Sequence, residues 1–387
     1  MKVDKSKWVE TAFAEIATSQ LGKTLDANKN KGLPYPYLCA ANVGMGYFNL
    51  SNVKEILLED SELEKYLVRK GDLLICEGGD TGRCSIWDSE QPIYYQNALH
   101  RVRFNEDTHN KFIMYYLHYY KKVGVIDRLS HGQTIKHFTQ KGLNKLSFKI
   151  PSLAIQQTIA KELDSIQEMI DGYKAQIADL EELANSIFLE TFGDPITNDK
   201  GWKKTKICEE ATVIGGATPR TDNPLNWDCG SLNWVTPAEL KGERYYGQTV
   251  KQITEYAVKN ANLTLLPIGT VLLSSRAPIG KVAITTEPMY CNQGFKNIIC
   301  GKNLVNEYLY QYLLFNNDEL NRRGSGVTFK EISKKVVENF PLILPPIELQ
   351  QQYADNIEAI EKQKALLREQ LADAEQLMAE RMQYYFS

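Results

Sequence analysis

Cationic and amide side chains recur in the glycine-rich stretches of both halves of this chain. Arginine and lysine match the acceptor atoms of guanine in the DNA major groove, and asparagine and glutamine match adenine. Lysine and threonine in loops also bind phosphate groups. Because a single residue of these types is more often a solvated or turn-forming side chain, the prediction rests on recurrence in equivalent stretches. We predict DNA contacts for Lys23, Asn28, Lys29, Asp80, Arg83, Gln96, Asn97, Gln133, Thr134, Lys136, Thr218, Arg220, Ser274, Ser275, Arg276, Lys281, Asn292, Gln293, Ser325, Thr328 and Lys330.

The residue patterns of common active sites are absent from the sequence. Residues 22–24 (Gly-Lys-Thr) resemble the end of a phosphate-binding loop, but Ala17 stands where that loop requires glycine. There is no His-Glu-x-x-His or Gly-x-Ser-x-Gly motif, and the 5 histidines are not paired at metal-ligand spacing. Gly44 and Gly46 lack the third glycine of a dinucleotide-binding motif. We therefore predict no catalytic residue, no metal site and no cofactor site in this chain.

Two stretches that lie 194 positions apart show the apolar periodicity of a coiled coil. From Ile159 the apolar residues alternate by four and three positions, which is the repeat of a helix–helix seam. The same register begins again at Tyr353, with Lys364 and Arg381 as polar intrusions, and matching Pro-containing segments precede both stretches. The agreement indicates an internal duplication. The predicted seam residues are Ile159, Leu163, Ile166, Ile170, Ile177, Leu180, Ile187, Ile357, Ile360, Leu367, Leu371 and Met378.

The segments that precede the two helices repeat as well. Residues 269–273 match residues 71–75 at an offset of 198 positions, and residues 325–330 fall on residues 131–136 at an offset of 194. Framework positions repeat while the loops between them differ. That pattern is expected of two lobes that recognise different targets, although any diverged duplication would also show it.

The predicted fold is α+β, with two pseudo-symmetric, strand-rich lobes separated by two long helices that pack as an antiparallel coiled coil. At 387 residues, the chain is too long for one ordinary hydrophobic core. The predicted boundaries are 1–150 for the first lobe, 151–199 for the central helix and its linker, 200–344 for the second lobe, and 345–387 for the C-terminal helix.

Charge is distributed unevenly between the lobes and the helices. The formal net charge is +4 for residues 1–150 and +5 for residues 200–344, but −8 for residues 151–199 and −4 for residues 345–387. Basic lobes suit a polyanion such as DNA, whereas acidic helices would be repelled by DNA and should face another partner. The simpler alternative is that the helices are merely solvated and that the excess charge of the lobes is ordinary scatter.

The sequence also bears on the cellular compartment. Residues 1–5 contain no apolar signal-peptide core, and no uncharged apolar run is long enough to span a membrane. The 7 cysteines include no Cys-x-x-Cys pair, which is typical of reduced thiols. We therefore expect a cytoplasmic protein without a membrane segment.

Several short motifs in the second half of the chain occur together. They are residues 215–219 (Gly-Gly-Ala-Thr-Pro), 275–281 (Ser-Arg-Ala-Pro-Ile-Gly-Lys), 292–294 (Asn-Gln-Gly), 325–328 (Ser-Gly-Val-Thr) and 344–346 (Leu-Pro-Pro). With the order lobe–helix–lobe–helix, this combination resembles the specificity subunits of Type I restriction-modification enzymes over essentially the whole chain. The first lobe departs from the pattern, since residues 77–80 (Glu-Gly-Gly-Asp) replace the Ser-Arg element and Ala98 follows Asn97.

The resemblance implies a non-catalytic protein that acts within a phage-defence complex. Each lobe would be a target recognition domain that reads one half of a bipartite site in double-stranded DNA. The two helices would form a spacer and dock two methyltransferase subunits, which bind S-adenosylmethionine and methylate adenine at N6. Restriction subunits, which bind ATP and Mg²⁺, could join and make the complex an ATP-dependent endonuclease.

Three other interpretations remain open at the level of sequence. The chain could be the recognition subunit of a related phage-defence methylation system. It could be a structural adaptor whose coiled coil joins proteins and whose lobes bind peptides. It could also be an enzyme with an unrecognised site, although the missing nucleophile, metal and cofactor patterns argue against that.

Overall fold

The computed structural model describes residues 3–26, 30–132, 136–326 and 330–387. The chain divides into two compact units, of which unit 1 contains residues 1–174 and 369–387 and unit 2 contains residues 175–368. Each unit therefore combines one strand-rich lobe with a segment of each long helix. This arrangement confirms the predicted α+β fold with two lobes and two long helices. Among the described residues, no helix is long and apolar enough to cross a membrane.

In the described part of the first lobe, ten strands and five short α-helices precede the first long helix. In chain order these are β1 (Val9–Ala12), α1 (Phe13–Ile16), β2 (Ala17–Leu21), β3 (Leu33–Leu38), β4 (Lys54–Leu58), α2 (Asp60–Leu63), β5 (Leu67–Val68), β6 (Leu73–Cys76), β7 (Cys84–Ile86), β8 (Ile93–Tyr95), β9 (Leu99–Phe104), α3 (Asn110–Lys122), α4 (Val125–Leu129), α5 (Gln140–Leu143), β10 (Ser147–Ile150) and the long helix α6 (Leu153–Phe192). One sheet has the order β2-β9-β6-β7, a second has the order β4-β3-β8-β5, and β1 pairs with β10.

The second lobe repeats this plan. Its elements are β11 (Lys203–Lys206), α7 (Ile207–Glu210), β12 (Ala211–Gly215), β13 (Leu232–Val235), β14 (Tyr245–Tyr246), β15 (Lys251–Ile253), α8 (Glu255–Asn260), β16 (Val271–Leu273), β17 (Val282–Thr285), β18 (Tyr290–Cys291), β19 (Lys296–Cys300), α9 (Asn306–Phe315), α10 (Asn317–Arg323), α11 (Lys334–Glu338), β20 (Pro341–Leu344) and the long helix α12 (Ile347–Phe386). Its sheets have the orders β12-β19-β16-β17-β14, β15-β13-β18 and β11-β20.

A buried glutamine at the start of each long helix shows how closely the two lobes correspond. The side-chain oxygen of Gln156 accepts a hydrogen bond from the backbone N–H of His109 at 2.9 Å, and its amide donates to the carbonyl of Pro151 at 3.0 Å. Gln350 makes the same two bonds, to Val305 and Pro345, both at 2.9 Å. A buried amide must satisfy both its donors and its acceptor. The glutamine therefore fixes each helix start to its own lobe.

In unit 1 the two helix segments run antiparallel. Glu162 lies 2.7 Å from Arg381 and accepts a hydrogen bond from the Tyr385 hydroxyl at 2.8 Å, whereas Lys174 lies 3.1 Å from Glu375. Residue numbers thus rise along α6 as they fall along α12. The polar intrusion at Arg381 is explained, because its guanidinium has a carboxylate partner on the facing helix.

The end of α12 also packs into the hydrophobic core of lobe 1. The Phe386 ring lies 5.5 Å from Phe112 and 4.5 Å from Tyr116, centroid to centroid. Tyr385 and Phe386 are almost completely buried, and they share a hydrophobic core with α3 and the sheet β2-β9-β6-β7. Lobe 1 therefore completes its core with residues far away in sequence.

In unit 2 an aromatic cluster joins the two helix segments to lobe 2. Phe188 is fully buried, and its ring lies 5.5 Å from Tyr308 of α9 and 5.5 Å from Tyr353 of α12. Further along, Lys364 lies 3.3 Å from Glu181 of α6. These contacts again make the segments antiparallel.

A buried charged network extends from lobe 2 to the helices of unit 2. The Arg244 guanidinium donates to Glu307 and to Gln311, both at 2.9 Å, and stacks over the Tyr310 ring at 4.2 Å. Its Nε lies 3.5 Å from a carboxylate oxygen of Glu361 on α12. Burial raises the pKa of Glu307, and the Arg244 charge opposes that rise.

Lys364, the second polar intrusion in the predicted seam, belongs to this network. Its ammonium donates to Glu361 at 2.8 Å, and the side chain is buried. The amide of Gln311 donates in turn to Asn185 of α6 at 2.7 Å. Every charge buried here has an opposite charge beside it, as a low-dielectric interior requires.

The predicted seam residues differ in how deeply they are buried. Ile159, Leu163, Ile166, Ile170, Ile357, Ile360, Leu367 and Met378 are buried, whereas Ile177, Leu180, Ile187 and Leu371 are half-buried. The half-buried residues of α6 follow the segment that packs against lobe 1. The helix ends at Phe192, and Gly193 follows with φ +76°, a conformation that favours glycine. Both lobe boundaries predicted at the helix starts lie between a strand and a helix, although compactness divides the helices themselves between the units.

Candidate DNA interface

In lobe 2 four loops are joined by backbone hydrogen bonds into one surface, which we call loop cluster 2 (described residues 216–218, 274–281, 292–296, 325–326 and 330–332). Ser275 donates to the carbonyl of Gly294 at 2.8 Å, and Ile332 donates to the carbonyl of Ser275 at 2.9 Å. Ala217 donates to the carbonyl of Cys291 at 3.1 Å. The cluster is therefore built on the ends of buried strands.

Lobe 1 contains an equivalent surface, loop cluster 1 (described residues 22–23, 76–83, 96–98, 131–132 and 136–138). Glu77 donates to the carbonyl of Ala98 at 2.9 Å, and Phe138 donates to the carbonyl of Glu77 at 2.7 Å. These bonds correspond to those of Ser275 and Ile332. The stretches that correspond by sequence offset therefore occupy corresponding places in the two clusters.

Glycine is required in each cluster where the loop that contains Gly22 or Gly216 passes the loop that follows β8 or β18. A Cβ on Gly22 would lie 2.3 Å from the carbonyl carbon of Gln96, and a Cβ on Gly216 would lie 2.2 Å from the carbonyl oxygen of Cys291. No side chain fits at either distance. The two glycines therefore allow the loops to approach each other closely.

Side chains with different chemistry occupy the same places in the two clusters. In cluster 2, Arg276 and Glu331 form a backbone bridge and an ion pair with 3.0 Å between Nε and Oε2. In cluster 1 the equivalent positions are Gly78 and His137, and a Cβ on Gly78 would lie 3.7 Å from the imidazole. A shared backbone therefore presents different donors and acceptors in each lobe.

Several predicted contact residues have hydrogen-bond partners within lobe 2. Ser274 and Ser275 are fully buried, and the Ser274 hydroxyl donates to the carbonyl of Pro278 at 2.8 Å. The Lys281 ammonium donates to the carbonyls of Pro237 and Leu240 at 3.1 and 2.8 Å. These side chains hold loop cluster 2 together.

In lobe 1, Lys23 is buried and its ammonium is paired with Glu62. Arg83 donates to the carbonyl of Ala40 at 3.1 Å, and Asp80 lies 2.6 Å from Lys121. These side chains link loop cluster 1 to neighbouring parts of lobe 1.

The remaining predicted residues lie at or near the surface. Lys136, Thr218, Arg220, Arg276, Gln293, Ser325 and Lys330 are exposed, and Gln96, Asn97 and Asn292 are half-buried. The Thr218 hydroxyl is hydrogen-bonded to the Gln293 amide. Arg220 is paired with Asp222 in a loop beside the cluster, 3.0 Å apart. Asn28, Lys29, Gln133, Thr134 and Thr328 lie outside the described residues.

Sequence reasoning missed two residues of loop cluster 2, Lys296 and Glu331. Lys296 contacts Ser275 at 3.2 Å and Glu331 at 3.4 Å. Its counterpart in lobe 1 is His100. Lys296 of β19 pairs with Gly215, the last residue of β12, and His100 of β9 pairs with Leu21, the last residue of β2. A polar residue that recurs at one position of a buried strand was the available signal.

His100 is 1% exposed and makes one hydrogen bond, of 3.2 Å, from Nε2 to the carbonyl of Phe138. Burial lowers its pKa to about 4, and the hydrogen bond opposes that shift. Among the described residues, Nδ1 has no partner. The imidazole is therefore neutral at pH 7.

Acid should destabilise lobe 1 through this histidine. The unfolded chain binds the proton at the ordinary pKa, whereas the folded chain resists it until about pH 4. Stability is therefore lost as the pH falls between those values, by about 3 kcal/mol for one such group. Glutamine can still donate to the carbonyl of Phe138 but does not titrate. Between pH 7 and pH 4 we therefore expect the free energy of unfolding of His100→Gln to fall by about 3 kcal/mol less than that of the parent. Urea denaturation at pH 7 and pH 4 measures the difference, and parallel pH profiles would contradict it.

Most of the chain is similar in sequence to known proteins. The family model described as "Type I restriction modification DNA specificity domain" matches residues 5–182 and again residues 199–376. The chain is 38% identical over 180 residues to the Type I restriction enzyme MjaIX specificity subunit of Methanocaldococcus jannaschii, which covers 43% of this chain and 41% of that protein. It thus aligns with less than half the length of that relative. It is 24% identical over 366 residues to the putative MjaX specificity subunit of the same organism, covering 88% and 83% of the two chains.

A solved structure shows the same fold. The S subunit of a Type I restriction-modification system from M. genitalium aligns over 100% of this chain and 98% of its own, with a TM-score of 0.61 and 14% sequence identity. At that identity, the likeness concerns the fold.

Proposed function

We propose that this chain, which belongs to the Type I restriction-modification DNA specificity family, selects a bipartite DNA target for an adenine methyltransferase. Each lobe would read one half-site in double-stranded DNA through its loop cluster. The observation that carries this proposal is the duplicated loop cluster, in which one backbone frame holds different side chains in each lobe. Such a frame suits two readers with different sequence preferences.

The proposed chemistry at the interface is recognition rather than catalysis. Exposed arginine, lysine, glutamine and threonine side chains supply contacts to base edges and phosphates. Because cationic side chains release counterions when they bind DNA, the affinity should fall steeply with salt. A specificity protein of this family leaves the chemical step to its partners.

The proposed partners are two methyltransferase subunits and, where the system restricts DNA, restriction subunits. The methyltransferase subunits would bind S-adenosylmethionine, and the restriction subunits would bind ATP and Mg²⁺. The acidic helices, with net charges of −8 and −4 over residues 151–199 and 345–387, disfavour DNA and suit protein docking. A protein that acts on chromosomal DNA in this way would be cytoplasmic.

Methylation mapping of genomic DNA tests the proposal directly. Cells that express the methyltransferase partner are compared with and without this chain. We expect an adenine-methylated motif in two separated halves that disappears when the chain is deleted and returns when it is restored. A methylome that does not change, while the methyltransferase remains active with another specificity protein, would contradict the proposed role.

A further inference from the structure

Glu331 is held rigidly at the centre of loop cluster 2. Its backbone exchanges hydrogen bonds of 2.9 and 3.0 Å with Ser325, and the next residue, Ile332, donates to Ser275 at 2.9 Å. The fully buried Ile332 side chain anchors this segment in the core of lobe 2. The Glu331 side chain is therefore attached to a backbone segment that is fixed to its neighbours.

That carboxylate holds two cationic side chains from different loops. One oxygen lies 3.0 Å from Nε of Arg276, and the other lies 3.4 Å from Nζ of Lys296. Lys296 is only 13% exposed and also contacts the Ser275 hydroxyl at 3.2 Å. Arg276 is 49% exposed. The lysine is thus part of the scaffold, and the arginine projects from it.

The contact with Glu331 uses one edge of the Arg276 guanidinium. Within the described part of the chain, Nε bonds to Glu331 and the two terminal amino groups make no hydrogen bond. Such a fork of two parallel N–H donors matches O6 and N7 of guanine in the major groove. Because Glu331 restricts rotation of the side chain, less conformational entropy is lost when the fork binds.

We propose that Glu331 is a positioning residue that presents Arg276 to a guanine in the half-site read by lobe 2. This inference rests on the proposed function and names the base that one side chain reads. A phosphate contact by the same fork is the competing outcome, and it would lower the affinity for all sequences equally instead of changing one base preference. Lobe 1 has no equivalent reader, since Gly78 and His137 occupy these positions.

Base preference measured with the full chain tests the inference. The chain is assembled with its methyltransferase subunits, and bound duplexes are selected from a library randomised in both half-sites and sequenced. We expect Arg276→Lys and Glu331→Gln each to reduce the preference for guanine at the same position of one half-site by about fivefold or more. The base preferences in the other half-site should not change. Glu331→Asp, which keeps the carboxylate, should retain part of the preference for guanine that Glu331→Gln loses.

The outcomes separate this inference from the proposed function. If the parent complex selects no bipartite sequence, the proposed function fails and the inference fails with it. If the parent selects one but Glu331→Gln keeps every base preference, or loses affinity equally for all sequences, only the positioning role is overturned.

A matched pair in the other lobe provides the control. Arg69 and Glu64 form an exposed ion pair at 2.8 Å outside both loop clusters. Arg69→Lys and Glu64→Gln should leave all base preferences unchanged. Urea denaturation of each variant verifies that lobe 2 is folded, so a shifted preference reports on recognition.

Discussion

Replacing Arg244 by methionine should lower the free energy of unfolding of unit 2 by about 3–5 kcal/mol, the usual cost of removing one partner from a buried ion pair. The guanidinium is buried between Glu307 and Glu361, which lie 2.9 and 3.5 Å away. Methionine fills much of the space but leaves the Glu307 carboxylate without a counter-charge. Urea denaturation followed by tryptophan fluorescence measures the loss.

Two comparisons sharpen this measurement. Arg322→Met removes an exposed arginine that lies 3.3 Å from Glu319, so it should cost about 0.5 kcal/mol or less. Burial already raises the pKa of Glu307, and loss of Arg244 should raise it further. The protonated carboxyl needs no counter-charge, so the defect of Arg244→Met should shrink as the pH falls toward the ordinary pKa of glutamate. A loss equal to that of Arg322→Met would mean that the network is not stabilising.

Removing one heptad from each long helix, residues 174–180 and 366–372, should abolish methylation of the parent target. If the helices act as the proposed spacer, activity should move to a target with a shorter gap between its half-sites. A heptad is about 10 Å long, which corresponds to at most about three base pairs. Methylation mapping of cells that carry the shortened chain would reveal the new spacer.

The control deletes residues 174–180 alone. The antiparallel segments then lose their register, because Lys174 faces Glu375 in unit 1 while the partner helix keeps its full length. We expect that variant to lose stability and all methylation. An unchanged spacer after the double deletion would show that another element sets the gap.

The helices were predictable because their signal is local. A four-three alternation of apolar residues needs no knowledge of the fold, and Gly193 marks the end of α6. The pattern could not show that Phe188 is more deeply buried than the predicted Ile187. That difference arises from Tyr308 and Tyr353, which approach from other elements.

The loop clusters were predictable as places but not as arrangements of side chains. Repeated framework motifs identified residues 275, 293 and 325 as members of stretches that recur in both lobes. The direction of each side chain depends on the path of its loop, so sequence gave no reason to expect that Lys281 binds two carbonyls while Arg276 projects outward. Glu331 was missed because the side chains expected to contact DNA are mainly cations and amides, whereas glutamate is acidic.

Unit 2 is continuous in the chain, whereas unit 1 is made of residues 1–174 and 369–387. Synthesis on the ribosome therefore supplies all of unit 2 before it supplies Tyr385 and Phe386, which fill the core of lobe 1. Domains made first usually fold first. For this chain we expect the core of lobe 1 to be completed only after unit 2 has been synthesised, so the unfilled core is exposed to chaperones and proteases during that interval.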